Sequence, residues 1–165
     1  MSGPPLKNGH GNGHASEVGL ALGGVREALA ELHRRLVEAA RIAYEKEHGR
    51  VSGPGELLRL LTQHEHFAWL RQLSELLADL DALAGEQPTT ELGAAVRGAA
   101  EALILAPQQA HEFWRRYSPL LQQYADVAVA HGEARRLLSA LPTPSEHGAR
   151  TLREKHEQAL AKKRR

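Results

Sequence analysis

The stretch WLRQLSELLADLDAL, residues 69–83, decides the fold class. Trp69, Leu70, Leu73, Leu76, Leu77, Leu80 and Leu83 recur at steps of three and four, with Arg71, Glu75, Asp79 and Asp81 between them. That period puts the apolar side chains on one stripe of an α-helix and the charges on the other. Composition extends the reading to the whole chain. Ala and Leu supply 52 of the 165 residues, whereas Val, Ile and Thr together supply 14. Strong helix formers therefore dominate, and β-branched residues are too few for a sheet of normal size. The expectation is an all-α domain.

Working outward, Val25, Leu29, Leu32, Leu36, Ala39 and Ala43 form a second stripe over 25–48, closed by His48 and Gly49. Pro54 and Glu56 mark a helix start, and Thr62-Gln63-His64-Glu65 matches a capping box that predicts a restart or kink. The 69–83 helix stops at Gly85. Thr89 or Thr90 caps a third helix to about Leu105, in which Gly93 and Gly98 lower intrinsic stability and permit close approach. Pro107 opens the last segment. Its stripe of Phe113, Tyr117, Leu121, Tyr124, Ala128, His131, Ala134 and Leu138 passes Pro119 in phase, predicting one long kinked helix. Four amphipathic segments joined by short connections predict an antiparallel four-helix bundle over 25–141. Residues 1–24, with seven glycines and two prolines, read as a disordered arm, and 142–165 as a Pro-linked basic tail, partly helical.

The formal net charge is +1, but its distribution is uneven. Residues 149–165 carry a local net of +5, leaving −4 on residues 1–148. A mildly acidic body with a basic tail results. The absence of cysteine excludes disulfides and thiolate chemistry and fits a reducing compartment. The first residues lack the apolar core of a secretory leader, and no run reaches the roughly 20 apolar residues of a membrane helix. A cytoplasmic protein without membrane contact is the expectation.

Ten histidines make metal or haem binding the question to settle. Glu45-Lys46-Glu47-His48 matches the Glu-x-x-His motif of carboxylate-bridged di-iron bundles once, and the second copy is missing. His10 and His14 are the sole pair at i,i+4 spacing, in a glycine-rich segment without fixed geometry. His64 and His66 point about 200° apart on a helix and so cannot share a ligand unless the segment is not helical. His131 lies on an apolar stripe, where a neutral ring with one hydrogen bond is the ordinary state and an axial ligand the functional one. Glu45, His48 and His131 are thus the weak metal alternatives to no metal and no cofactor. No nucleophile elbow, phosphate loop or dinucleotide fingerprint occurs, and Asp79 and Asp81 face different ways. A non-enzyme is expected.

Two surfaces remain. At helical spacing Phe113 and Trp114 read first as core or core-edge residues; being adjacent, about 100° apart on a helix, one of them can face outward, and an exposed Trp114 beside Arg115 and Arg116 would make an interface anchor. In the tail, Lys162, Lys163, Arg164 and Arg165 offer non-specific, salt-sensitive attraction to nucleic acid or an anionic surface. The segment from Tyr44 to Asp81, with its acidic-His-Gly helix end, Pro-containing turn and FAWLRQLSEL run, resembles a segment of small all-helical bacterial proteins of unknown function. The resemblance implies a bacterial source, which 16 arginines against 5 lysines also fit, and implies no catalytic residue. The functional expectation is a helical bundle acting through contact with an unidentified protein partner or with copies of itself. Histidine-held metal or haem is the alternative, and weak binding of nucleic acid through the tail a further one.

Overall fold

The computed structural model describes residues 11–105 and 111–144, together with eight positions between Leu152 and Arg164. Among the described residues all regular structure is helical. Helix α1 spans Gly11–His48, α2 Pro54–Gln63, α3 Arg71–Leu83, α4 Thr90–Ile104, α5 Glu112–Gln123 and α6 Ala125–Leu138. A 3-10 segment, Glu65–Leu70, joins α2 to α3.

Helix α1 is the spine. At 1.5 Å per residue its 38 residues extend for about 57 Å. It packs along α6, and also against α3, α4, α5 and the 3-10 segment. Gly24 faces Leu137 and Arg35 reaches Asp126 at 3.5 Å, so α6 runs antiparallel to it. On another side Arg26 bonds Asp81 and His33 bonds Ser74, which makes α3 antiparallel to it as well. The core holds Leu29, Leu32, Leu36, Phe67, Leu73 and Tyr117, none exposed to solvent.

Local signals hold at several ends. Gly49 closes α1 at φ 86, and the Thr89 hydroxyl accepts from Leu92 N–H at 3.1 Å at the start of α4. Gly93 and Gly98 allow the close approach their size permits. A Cβ on Gly93 would lie 2.9 Å from Pro142 Cδ, and one on Gly98 3.2 Å from Pro144 Cβ.

Four expectations are corrected. Residues 11–24, read as a disordered arm, are the first turns of α1. The stripe in fact continues backward through Leu22, Ala21 and Val18, and Val18 packs on Gly93 while Gly19 meets Pro88. Tertiary contact there offsets the helix-weakening glycines. The last segment is two helices, not one kinked helix. Pro119 sits inside α5, and the chain breaks instead at Tyr124, in extended conformation. The phase slips with it: Val127 and Ala130 are buried, whereas Ala128 is exposed. Eleven residues from Tyr117 would keep the face and ten turn it by about 80°, which is what lets α6 address α1. Thr62 is no N-cap, since its hydroxyl donates to the Leu58 and Arg59 carbonyls within α2. The restart is real, but His64 caps it. Finally, the packed body does not end at Leu141. Leu152 is 2 % exposed and belongs to the core.

Candidate functional site

The three metal alternatives do not converge. Glu45 closes the link from α1 to α2. Its Oε1 accepts from Val51 N–H at 3.0 Å and from Arg41 Nη1 at 2.7 Å, and these partners hold the carboxyl below its usual range. His48 turns to the other side of the helix end, donates from Nδ1 to the Tyr44 carbonyl at 3.2 Å and stacks on the Tyr44 ring at 4.3 Å. His131 stands apart on α6, hydrogen-bonded through Nδ1 to the Tyr117 hydroxyl at 2.6 Å. Among the described residues no three His, Asp or Glu side chains are grouped to hold a metal ion.

Six of the described histidines have hydrogen-bond partners within the protein. His33 meets Ser74 Oγ at 2.8 Å, and that hydroxyl also lies 3.3 Å from the Leu70 carbonyl. His66 donates from Nε2 to Ala40 O at 2.9 Å. His64 caps the 3-10 segment by accepting from His66 N–H, and His111 caps α5 by accepting from Trp114 N–H. His64, His66 and His48 ring Tyr44, with centroid distances of 5.1, 5.6 and 4.3 Å. None of this was read from sequence. The caps left a trace only as His-Glu pairs ahead of apolar runs, at His64-Glu65 and His111-Glu112.

On α5 the expected contact face is present in altered form. Trp114 is half-buried, edge-on to Tyr117 at 5.8 Å, and so forms a ledge of the core rather than a free knob. Arg115 and Arg116 are exposed beside it, and among the described residues neither has an ion pair. Most other arginines of the body are neutralised: Arg26, Arg34, Arg35, Arg41, Arg97 and Arg136 each meet a carboxylate. Arg135, exposed on α6, adds a further charge near His131. Burial, then the charge of Arg135, pushes the His131 pKa down, and burial pushes the Tyr117 hydroxyl up. Both groups are therefore neutral at pH 7.

Of the tail candidates, Lys162 lies 3.4 Å from Glu86 and Arg164 is exposed, while Lys163 and Arg165 lie outside the described residues. A cleft of about 150 Å³ between α1, α3 and α4 is floored by Gly19, Leu22 and Gly23 and walled by Leu80, Leu83 and Val96. Its rim cation, Arg26, is already bonded to Asp81. No helix among the described residues is long and apolar enough to cross a membrane. Comparison with protein-family models, curated proteins and solved structures gives no match.

Proposed function

We propose that the protein is a non-enzymatic helical bundle that acts by binding another protein through the α5 face of Trp114, Arg115 and Arg116. The observation that carries the reading is the pair of unpaired guanidiniums flanking a half-buried Trp, on a molecule that neutralises most of its other arginines. An aromatic ledge fixed from beneath by Tyr117 loses little side-chain freedom on binding, and arginine forks beside it add directional hydrogen bonds. Structurally, the long antiparallel packing of α1, α3 and α6 is read as the bundle that holds this face rigid. The partner is an unidentified protein or a second copy of the chain.

A photo-crosslinking residue at position 116 of the full chain tests this, with one at exposed Gln72 on α3 as control. The expected result is a discrete adduct from position 116 that is absent from position 72 and lost on Arg115→Glu. Adducts of equal yield from both positions overturn the reading. Sedimentation velocity then separates a foreign partner from self-association, since only the latter depends on the concentration of the pure chain.

A further inference from the structure

His111 and His64 perform the same task at the starts of two elements. His111 Nδ1 accepts from Trp114 N–H at 3.2 Å while its Nε2–H donates to the Ala102 carbonyl at 3.1 Å. His64 Nδ1 accepts from His66 N–H at 3.1 Å. The 3-10 segment and α5 pack together at the far end of that segment, where the rings of Trp69 and Phe113 are 5.5 Å apart. One turn beyond, Tyr117 meets the third imidazole acceptor, His131.

An imidazole nitrogen that accepts a hydrogen bond carries no proton, so each ring is neutral in this arrangement. Asn, Asp, Ser and Thr are the common N-caps, and none of them loses its acceptor near neutral pH. Histidine does. Protonation at Nδ1 turns the acceptor into a donor that confronts a backbone N–H, and sets a positive charge at the positive end of the helix. The Tyr117 hydroxyl can reverse its bond to His131, but the backbone N–H groups of His66 and Trp114 cannot.

We propose that the Trp114 face is acid-gated: protonation of His111 at Nδ1 removes the cap on Trp114 N–H, releases the start of α5 and withdraws the ordered surface formed by Trp114, Arg115 and Arg116, while His64 loses its own cap on His66 N–H in the same way. The proposal rests on the reading of that face as a contact surface. The charged and titratable neighbours set the balance. Next to His111 in the chain is Glu112, Arg115 N–H donates to the His111 carbonyl, and from α4 the Ala102 carbonyl meets its Nε2. Around His64 are Tyr44 and His48 of α1 and Glu65 and His66 of its own segment. Near His131 are Tyr117 of α5 and Arg135 of α6.

Amide hydrogen exchange of the full chain at pH 7.5 and pH 5.0, corrected for intrinsic rates, tests the gate. The amides of Trp114 and His66 are expected to lose protection by about fivefold or more at pH 5.0, the scale of one lost cap. The amide of Leu92, capped by the non-titrating Thr89, serves as internal reference and keeps its protection. In His64→Asn/His111→Asn, whose amide oxygens cap at either pH, the acid loss disappears, and with it the acid loss of crosslinking at position 116. Single His111→Asn gives the same result for Trp114 should the double variant fold poorly. Equal protection at both pH values, or an acid loss that persists in the Asn variants, overturns the gate. If Arg115→Glu abolishes crosslinking while Trp114 protection stays flat with pH, the gate fails and the contact surface stands. If the acid loss occurs but crosslinking ignores Arg115→Glu, the contact surface fails, and the gating of it with it.

Discussion

Gly93 and Gly132 are both helical glycines, yet they answer differently to an added methyl group. At Gly93 a Cβ would come within 2.9 Å of the Pro142 ring and 3.2 Å of Val18 Cγ1, so two rigid neighbours must move. At Gly132 nothing lies within 4 Å. Gly132→Ala should therefore stabilise by about 0.4–1 kcal/mol through helix propensity and a more restricted unfolded chain. Gly93→Ala should destabilise by about 1–3 kcal/mol, overpacking outweighing the same gain. Urea titrations of both variants check the opposite signs. A second prediction concerns pH. Burial holds His131 and His33 below the ordinary 6.5, so the unfolded chain takes up protons that the folded one refuses. Stability should fall as pH drops from about 6.5 toward the lower folded values, then level off. The same argument reversed applies to Tyr117: its folded pKa is raised above 10.0, so stability should fall again once pH exceeds 10. Thermal unfolding of His131→Gln should show a shallower acid limb, with the share due to His33 retained.

At the scale of elements, α1 is where local and tertiary forces part company. Its glycines at 13, 19, 23 and 24 each cost up to about 1 kcal/mol relative to alanine, so the first turns cannot stand alone. They persist because Val18 sits on Gly93, and Gly19 against Pro88. A chain starting at Val25 should accordingly be less stable than one starting at Gly11, by about 2–4 kcal/mol for the lost burial of Val18, Ala21 and Leu22. Calorimetry of the two truncations measures it, and equal melting temperatures would show the first turns to be passengers. The break at Tyr124 has the same origin. The α5 stripe alone permits a continuous helix past Pro119, but α6 must present Val127, Ala130, Ala134 and Leu138 to α1, a face turned by a quarter of a circle.

For the molecule as a whole, the C-terminal residues matter in two separable ways. Leu152 lies in the core, so truncation after Leu141 should cost about 1.5–3 kcal/mol, the scale for exposing one buried leucine. The basic residues beyond it should bind DNA weakly at low salt and lose most of that affinity near 150 mM. Charge on a segment anchored by Leu152 and by the Lys162–Glu86 contact attracts phosphates without holding side chains to base edges. A DNA titration at two salt concentrations, with Leu152→Ala and Lys162→Glu/Arg164→Glu compared, separates the roles: the first should lower stability alone and the second affinity alone. Binding that survives 150 mM salt or discriminates between sequences would move the functional centre from α5 to the tail.

By itself the sequence determined that this chain is helical, where α2 and α4 begin, how α1 ends, and which stripe of α1 and α3 is apolar. Those outcomes follow from forces that act within a few residues: propensity, capping, the fixed φ of Pro54, the positive φ of Gly49, and a period that sorts apolar from charged positions. Tertiary structure alone decided that the glycine-rich start is helical, that the last segment bends at Tyr124, and that Leu152 closes the core. In each case a distant surface outweighs a local preference. It also decided the state of the histidines. Spacing along the chain identified possible ligands at Glu45, His48 and His131, but a ligand set requires convergence in space, and folding gave each side chain a separate backbone or hydroxyl partner. The arginines of α5 were legible as residues beside a Trp. That they lack carboxylate partners among the described residues, unlike most of their kind in the body, depends on which helices end up side by side.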